Sequence, residues 1–409
     1  MASPNPTPTS TPNNIRTRIL ILSDTHGLVP CAEGKTHLPS YDSYSEQSGE
    51  PVFLSAFRQP LPRADVVIHC GDLTKHSTPA EYADTLAMLA SLDCSLKIAI
   101  PGNHDMALDE RSWPVPDRRH SRDDDREQQQ PGGGGGGGRK DGGRGRRKKA
   151  DFPAVIRGMV AEARVTSGVH VLVEEGTYDF ALGNGARLRV YASPWTPVFG
   201  GWGFQYRGAH EFRVEPGTDV VVTHGPPKGV LDRTLYGGER AGCGYLMRAV
   251  ERVRPRVHCF GHIHEAWGAM VRRWEEGKDV VVENLDSVEG AWDDKPAVMR
   301  EKVARRNVWA EKRARTVDLC HFSTTPGAAD EDRGPDTNGA TLSGGFEPGR
   351  DTLFVNAAIV DIGYEPRNMP WLVDLELPRA DQDDAARARE TAARIARDYE
   401  RAQTAAESI

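Results

Sequence analysis

Five apolar runs in this chain end in the side chains that hydrolytic metal chemistry uses. They are Ile19-Leu-Ile-Leu-Ser-Asp24-Thr-His26, Val66-Val-Ile-His-Cys-Gly71-Asp72, Lys97-Ile-Ala-Ile-Pro-Gly102-Asn103-His104-Asp105, Val220-Val-Val-Thr-His224-Gly-Pro-Pro and Val257-His-Cys-Phe-Gly261-His262-Ile-His264. Asp24 and His26 are two residues apart, as are His262 and His264, so in an extended segment each pair can point to one side. Asp72, Asn103 and His224 enlarge the set to imidazoles, a carboxylate pair and an amide oxygen, more than the four ligands one zinc ion normally takes. Such an inventory suits two metal ions with a carboxylate between them. Two ions about 3.5 to 4 Å apart clamp the attacking and leaving oxygens of an in-line displacement. Mixed imidazole and oxygen donors favour Mn, Fe, Zn or Co over Mg or Ca.

Each fragment also has a plain structural reading: Asp24-Thr-His26 as a helix cap, His224 before Gly-Pro-Pro as a turn residue, Gly261-His-Ile-His264 as a strand end with one buried histidine. What gives the set its weight is its order, with every motif following a β-type run.

The elements that must position these residues alternate strands and helices, which predicts an α/β fold with ligands gathered at the carboxyl ends of the strands. Strands are expected near 19–23, 65–69, 97–100, 169–173, 187–193, 219–223, 257–260, 353–360 and 371–375. The clearest helix starts at Thr78, with Pro79 at its first position and Glu81 completing a Thr-x-x-Glu capping box. Leu86, Leu89 and Ala90 then share one face. Further helices are expected near 152–163 and 243–253. The aromatic stretch from Pro194 to Phe204 can either line a substrate cleft or pack as a compact loop.

Composition bounds the rest. Of 409 residues only 38% are hydrophobic and the mean hydropathy is −0.56, so part of the chain is expected to lie outside any core. Residues 1–15 read as a leader, 16–378 as one domain interrupted by low-complexity inserts at about 111–150 and 275–350, and 379–409 as an exposed helical tail. The first insert ends in Arg144-Gly-Arg-Arg-Lys-Lys149, readable as a nuclear-import or nucleic-acid patch or as a solvated loop. A net charge of −7 provides no global basic field for nucleic acid or an anionic membrane. The six cysteines include no C-x-x-C pair, which argues for reduced packing thiols. The start of the chain has neither a basic segment nor an apolar h-region, and no run approaches the ~20 apolar residues of a membrane span. The expected location is the cytoplasm or nucleus.

Together the motifs resemble the calcineurin-like metallophosphoesterase superfamily. The phrases His69-Cys-Gly-Asp-Leu-Thr74, Ser193-Pro-Trp195, Thr223-His-Gly-Pro-Pro227, Arg254-Pro-Arg-Val-His-Cys-Phe-Gly-His-Ile-His-Glu265 and Phe354-Val-Asn-Ala357 are similar to its metallophosphoesterase domain-containing group. The resemblance covers about residues 17–110, 150–275 and 351–378. It implies a four-layer α/β/β/α fold, a two-sheet β-sandwich flanked by helices. It implies one divalent ion on Asp24, His26 and His264, a second on Asn103, His224 and His262, and Asp72 bridging them. His104 would serve as leaving-group acid or charge stabiliser, with Asp105 holding its ring.

The arginine-bearing Gly-Asp-x-Val-Asp-Arg-Gly of the protein Ser/Thr phosphatases is replaced here by Gly71-Asp-Leu-Thr-Lys-His76, which counts against phosphoprotein substrates. The activity expected is hydrolysis of small-molecule phosphodiesters, cyclic nucleotides among them, and of monoesters, through a dinuclear centre and a bridging hydroxide. Two alternatives stand beside it: a nuclease or nucleic-acid phosphatase using the basic insert, and a metal-binding scaffold with little turnover. Oligomeric state is not readable from these residues.

Overall fold

In the computed structural model the described residues are 14–32, 55–113, 152–235, 239–284, 313–320 and 345–407. The basic insert and nearly all of the expected leader lie outside them.

Two sheets form the frame. The first comprises β1 (Asn14–Leu22), β2 (Val66–His69), β3 (Leu96–Ala99), β4 (Val169–Val171), β13 (Arg315–Asp318) and β15 (Trp371–Pro378), in the order β13-β15-β1-β2-β3-β4. β1 to β4 run parallel. Parallel strands covered on both faces read as unbroken apolar runs, and Ile19 to Leu22 and Val66 to Ile68 are fully buried.

The second sheet comprises β5 (Gly176–Ala181), β6 (Arg187–Ser193), β9 (Val220–Thr223), β10 (Val257–Phe260), β11 (Gly268–Arg273), β12 (Lys278–Asn284) and β14 (Asp351–Asn356), ordered β12-β11-β14-β10-β9-β6-β5. Its side chains alternate between faces with period two. Val190, Val220, Val222, Cys259, Leu353 and Val355 join Ile19 and Val67 in a core shared with the first sheet. Tyr191, Val221, Phe260 and Phe354 point the other way, onto Leu246 and Val250 of a helix. A short pair, β7 (Thr196–Pro197) with β8 (Gln205–Tyr206), lies in the aromatic stretch.

Four helices flank the sheets among the described residues: α1 (Pro79–Ser91), α2 (Phe152–Ser167), α3 (Gly244–Val253) and α4 (Gln382–Glu407). The predicted capping box of α1 is present. Thr78 Oγ1 accepts from the Glu81 N–H at 3.3 Å, and the Glu81 carboxylate accepts from the Thr78 N–H at 3.0 Å. Such a cap contributes about 1 kcal/mol.

Three expectations need correction. The helix of 379–409, expected to be exposed, instead packs on β5 and α2. Thr391, Ile395 and Tyr399, spaced four apart, are buried along one face, and Thr391 Oγ1 accepts from the Asp179 N–H at 3.1 Å. Three such residues suffice in an otherwise polar, Ala-rich helix. The region 275–350 also contributes β12 and β13, one edge of each sheet. Finally, β1 begins at Asn14 and so takes in the end of the expected leader.

What positions the site is the way the two sheets meet at their carboxyl edge. The Ser23 N–H donates to the Ala357 carbonyl at 2.9 Å and the Ile359 N–H to the Ser23 carbonyl at 2.9 Å, while the Ala357 N–H donates to Phe260 at 2.8 Å. The segment after β14 therefore stitches the end of β1 to the end of β10, bringing Asp24 against the Gly261-His262 turn.

Candidate metal centre

All nine residues singled out in the sequence lie at that carboxyl edge. The turns that present them are unusual. Asp24 has φ 52°, His26 48°, Asp72 52° and His262 68°, a left-handed region that few non-glycine residues occupy. Such conformations persist where surrounding contacts over-determine them. Here the Asp24, His26 and Gly27 N–H groups donate to the Gly71, Asp72 and Leu73 carbonyls at 2.9, 3.0 and 2.8 Å, zipping the first two turns together. The His104 N–H donates to Asp72 Oδ1 at 2.8 Å, and the His262 N–H to Asp24 Oδ2 at 3.0 Å.

Backbone must come very close to these carboxylates. A Cβ at Gly261 would lie 1.9 Å from Asp24 Oδ2, and one at Gly102 would lie 2.2 Å from Asp72 Oδ1. Only glycine fits either place.

Two groups of ligating atoms result. Asp24, His26, Asp72 and His264 form one, and Asp72, His224 and His262 form the other, each with its atoms within 4.8 Å of one another. Asp72 belongs to both: its Oδ2 is 3.7 Å from His26 Nε2 and its Oδ1 3.4 Å from His224 Nε2. Asn103 Oδ1 lies 2.8 Å from His224 Nε2, which places the amide with the second group.

The tautomers explain why these groups fit a cation. Nδ1 of His26, His224 and His264 lies 3.3, 3.1 and 3.1 Å from the carbonyls of Thr74, Cys70 and Asp361. A carbonyl only accepts, so each Nδ1 carries a proton and each Nε2 is left facing the carboxylates, where a proton or a metal ion can take its lone pair, the arrangement of a metal-ligating histidine with an oriented second nitrogen.

Burial pushes His26 and His262 down to about 3, so both rings are neutral at neutral pH. For His224 burial works the same way but the Asp72 carboxylate outweighs it, raising the ring to about 9; Asp24 likewise outweighs burial and raises His264. Despite burial, the histidines hold both Asp24 and Asp72 below the usual carboxylate range. Protons and metal ions compete for the same lone pairs, and the donor set fits divalent metal.

His104 stands beside the first group, its ring centroid 4.8 Å from that of His26. Asp105 does not hold the His104 ring, contrary to expectation; His104 Nδ1 donates to the Lys75 carbonyl at 2.9 Å. Asp105 instead accepts from the N–H groups of Gly102, Leu73 and Thr74 at 2.8, 3.0 and 3.0 Å, from Thr74 Oγ1 at 2.7 Å and from the Tyr82 hydroxyl at 3.2 Å. It ties the Asp72 turn to the Asn103 turn. Burial and the Asp72 charge push its carboxyl up to about 6, still ionised at neutral pH.

Three neighbours of the centre had not been singled out. Trp202 stacks on His104 at 4.2 Å, so the aromatic stretch does line the site. Tyr364 lies edge-on to His26 at 4.8 Å and to His264 at 5.5 Å, and the Lys75 ammonium sits over its ring. Composition hinted at Trp202. For Tyr364, remote in sequence from every motif, there was no signal.

A two-sheet sandwich with carboxylates and imidazoles gathered between its carboxyl edges is the architecture of a metallophosphoesterase domain. The chain belongs to the calcineurin-like phosphoesterase family, whose profile matches residues 17–266. It is similar to metallophosphoesterase domain-containing protein 1 of Homo sapiens and of Mus musculus, each 31% identical over 216 residues, 51% of this chain and 57% of that protein. A 220-residue stretch is 30% identical to probable rhamnogalacturonate lyase C of Emericella nidulans, covering 53% of this chain and 17% of that one. The alignments thus span little more than half of the human and mouse relatives. Among the described residues no helix is long and apolar enough to cross a membrane.

Proposed function

We propose that this protein is a dinuclear metal-dependent phosphoesterase that hydrolyses small-molecule phosphodiesters, with cyclic nucleotides the first class to test, and also monoesters. The observation that carries the reading is Asp72, whose two oxygens face imidazole nitrogens of two different groups. Asp24, His26 and His264 would hold one ion and Asn103, His224 and His262 the other, with Asp72 bridging and Mn, Fe or Zn suited to the donors. Two bound divalent ions supply Lewis-acid chemistry, lowering the pKa of water and neutralising phosphoryl oxygens.

The chain's own residues supply orientation and a proton. His104 is fixed through its backbone N–H on Asp72 and its Nδ1 on Lys75, which leaves Nε2 to carry a proton to the departing alkoxide. Trp202, stacked against that ring, holds it in place. Thr74 and Tyr82, through Asp105, keep the two ligand-bearing turns in register.

The test is hydrolysis of bis(4-nitrophenyl) phosphate and 4-nitrophenyl phosphate by metal-stripped protein titrated with Mn²⁺, beside Asp72→Asn, with bound metal counted by mass spectrometry. Restoration in the wild type alone, at two ions per chain, supports the reading. A folded wild type that stays silent with Mn²⁺, Fe²⁺ and Zn²⁺ would leave a metal-binding scaffold as the better description.

A further inference from the structure

Tyr364 closes one side of the centre, in edge contact with His26 and His264 and 6.1 Å from His104. The Lys75 ammonium lies 4.3 Å from the centroid of that ring. Lys75 follows Asp72 by three residues, and its backbone is pinned on both sides: its N–H donates to the Glu81 carboxylate at 3.2 Å and its carbonyl accepts from His104 Nδ1 at 2.9 Å. The base of this side chain is thereby as firmly placed as the metal-facing turn itself.

Lys75 is half-buried, yet among the described residues no carboxylate pairs with its ammonium. Its partner among the described residues is the aromatic face of Tyr364, a contact worth about 1 to 2 kcal/mol. A charge-assisted hydrogen bond to a phosphoryl oxygen is stronger, so an arriving anion draws the ammonium off the ring at little cost. Asp24 and Asp72 are committed to the imidazole groups and leave Lys75 for the substrate.

We propose that Lys75 is a specificity-determining residue: its ammonium grips a non-bridging phosphoryl oxygen and favours monoester dianions over diester monoanions. The proposal rests on the phosphoesterase reading above. Its physical basis is Coulomb's law, since a fixed cation attracts a dianion about twice as strongly as a monoanion at the same distance. Monoesters, with a second pKa near 6, are dianions at pH 8. Doubling an interaction energy squares its effect on affinity, so a contact giving about threefold for the diester gives about tenfold for the monoester.

The experiment uses full-length, Mn²⁺-loaded protein at pH 8 and compares wild type, Lys75→Met and Lys75→Arg, with Lys75→Gln in place of the Met variant if circular dichroism shows that one unfolded. Titration calorimetry with inorganic phosphate gives a readout independent of turnover. Removing the charge is expected to weaken phosphate binding ~10-fold, raise KM for 4-nitrophenyl phosphate ~10-fold and raise KM for the bis ester only ~3-fold, with Arg restoring most of each. Phosphate binding by the wild type that depends on Lys75, without turnover of either ester, would keep Lys75 as the anion grip while removing the hydrolase reading. Hydrolysis of both esters with a KM ratio and phosphate affinity indifferent to Lys75 would do the reverse, and a wild type that binds no phosphate would also overturn the proposal.

Discussion

The Nε2 atoms of His26 and His264 face each other at 3.4 Å, while each ring gives its Nδ1 proton to a main-chain carbonyl. Nitrogens so placed need a proton or a metal ion between them and the carboxylates, and the nearby Asp24 and Asp72 oxygens make that place strongly negative. Metal should therefore stabilise the fold as well as equip it. Adding Mn²⁺ at about 100 times its dissociation constant to stripped protein is expected to add about 2.7 kcal/mol for each ion bound and raise Tm by roughly 3 to 5 °C for each. Calorimetry with and without Mn²⁺ checks this. The shift should fall by about half in His264→Ala, which keeps the second group of ligands, and an unchanged wild-type Tm would count against the argument.

Glycine provides a steric test of the same centre. In Gly261→Ala the new methyl group would collide with Asp24 Oδ2 and with Ser23 Oγ, 2.2 Å away, forcing Asp24 out of position. Misplacement by about 1 Å can cost 100-fold, so diester hydrolysis should fall by at least that factor and Mn²⁺ affinity with it. Gly158→Ala is the matched control. That glycine lies within α2 with nothing inside 4 Å of its added Cβ, and the change should stabilise by about 0.5 to 1 kcal/mol. Equal losses in both variants would refute the steric argument.

Asp105 is predicted to be a structural strut whose removal shows first in stability. Asp105→Asn sets an NH2 group against donors, leaving at least one buried N–H or O–H without an acceptor, at about 1 to 3 kcal/mol each. Urea denaturation should register a loss of about 2 to 3 kcal/mol. The pH profile of the remaining activity should keep its shape, because His104 takes its orientation from Lys75. A profile shifted with no loss of stability would restore Asp105 to direct support of the His104 ring.

Stability should also fall in mild acid for a reason remote from metal binding. Burial lowers His258 to about 3 and His170 to about 4. Both folded values lie below the ordinary ~6.5 of an unfolded histidine. Between those limits the unfolded chain takes up protons that the folded chain refuses, so the stabilisation is complete above pH ~6.5 and is lost as pH falls toward 4 and below. Each ring contributes up to about 1.4 kcal/mol per pH unit. His258→Gln should flatten the slope of unfolding free energy between pH 6 and 4 by about that amount. An identical slope in variant and wild type would show that His258 titrates normally.

Much of this could be read along the chain because the information is local. The capping box at Thr78 and Glu81 spans one turn of helix, and Gly102-Asn103-His104-Asp105 is one turn after one strand. Where the structure departs from these local expectations, the deciding contacts are distant. Ile395 and Tyr399 looked too sparse to bury a helix until β5 and α2 supplied a surface for them. Asp105, adjacent to His104 in sequence, turns away because Leu73 and Thr74 present their N–H groups on the other side.

By itself the sequence determined the kind of chemistry: which residues carry lone pairs, that each follows an apolar strand, and that glycines flank them. The motifs' resemblance implied the grouping, but only the tertiary structure brings the grouped residues together, because Asp24 and His262 lie on different sheets and meet through the segment following Asn356. It also decided which atoms are free to bind. A histidine becomes a ligand when a distant carbonyl takes its other proton, and the carbonyls of Thr74, Cys70 and Asp361 reach His26, His224 and His264 only in the folded chain.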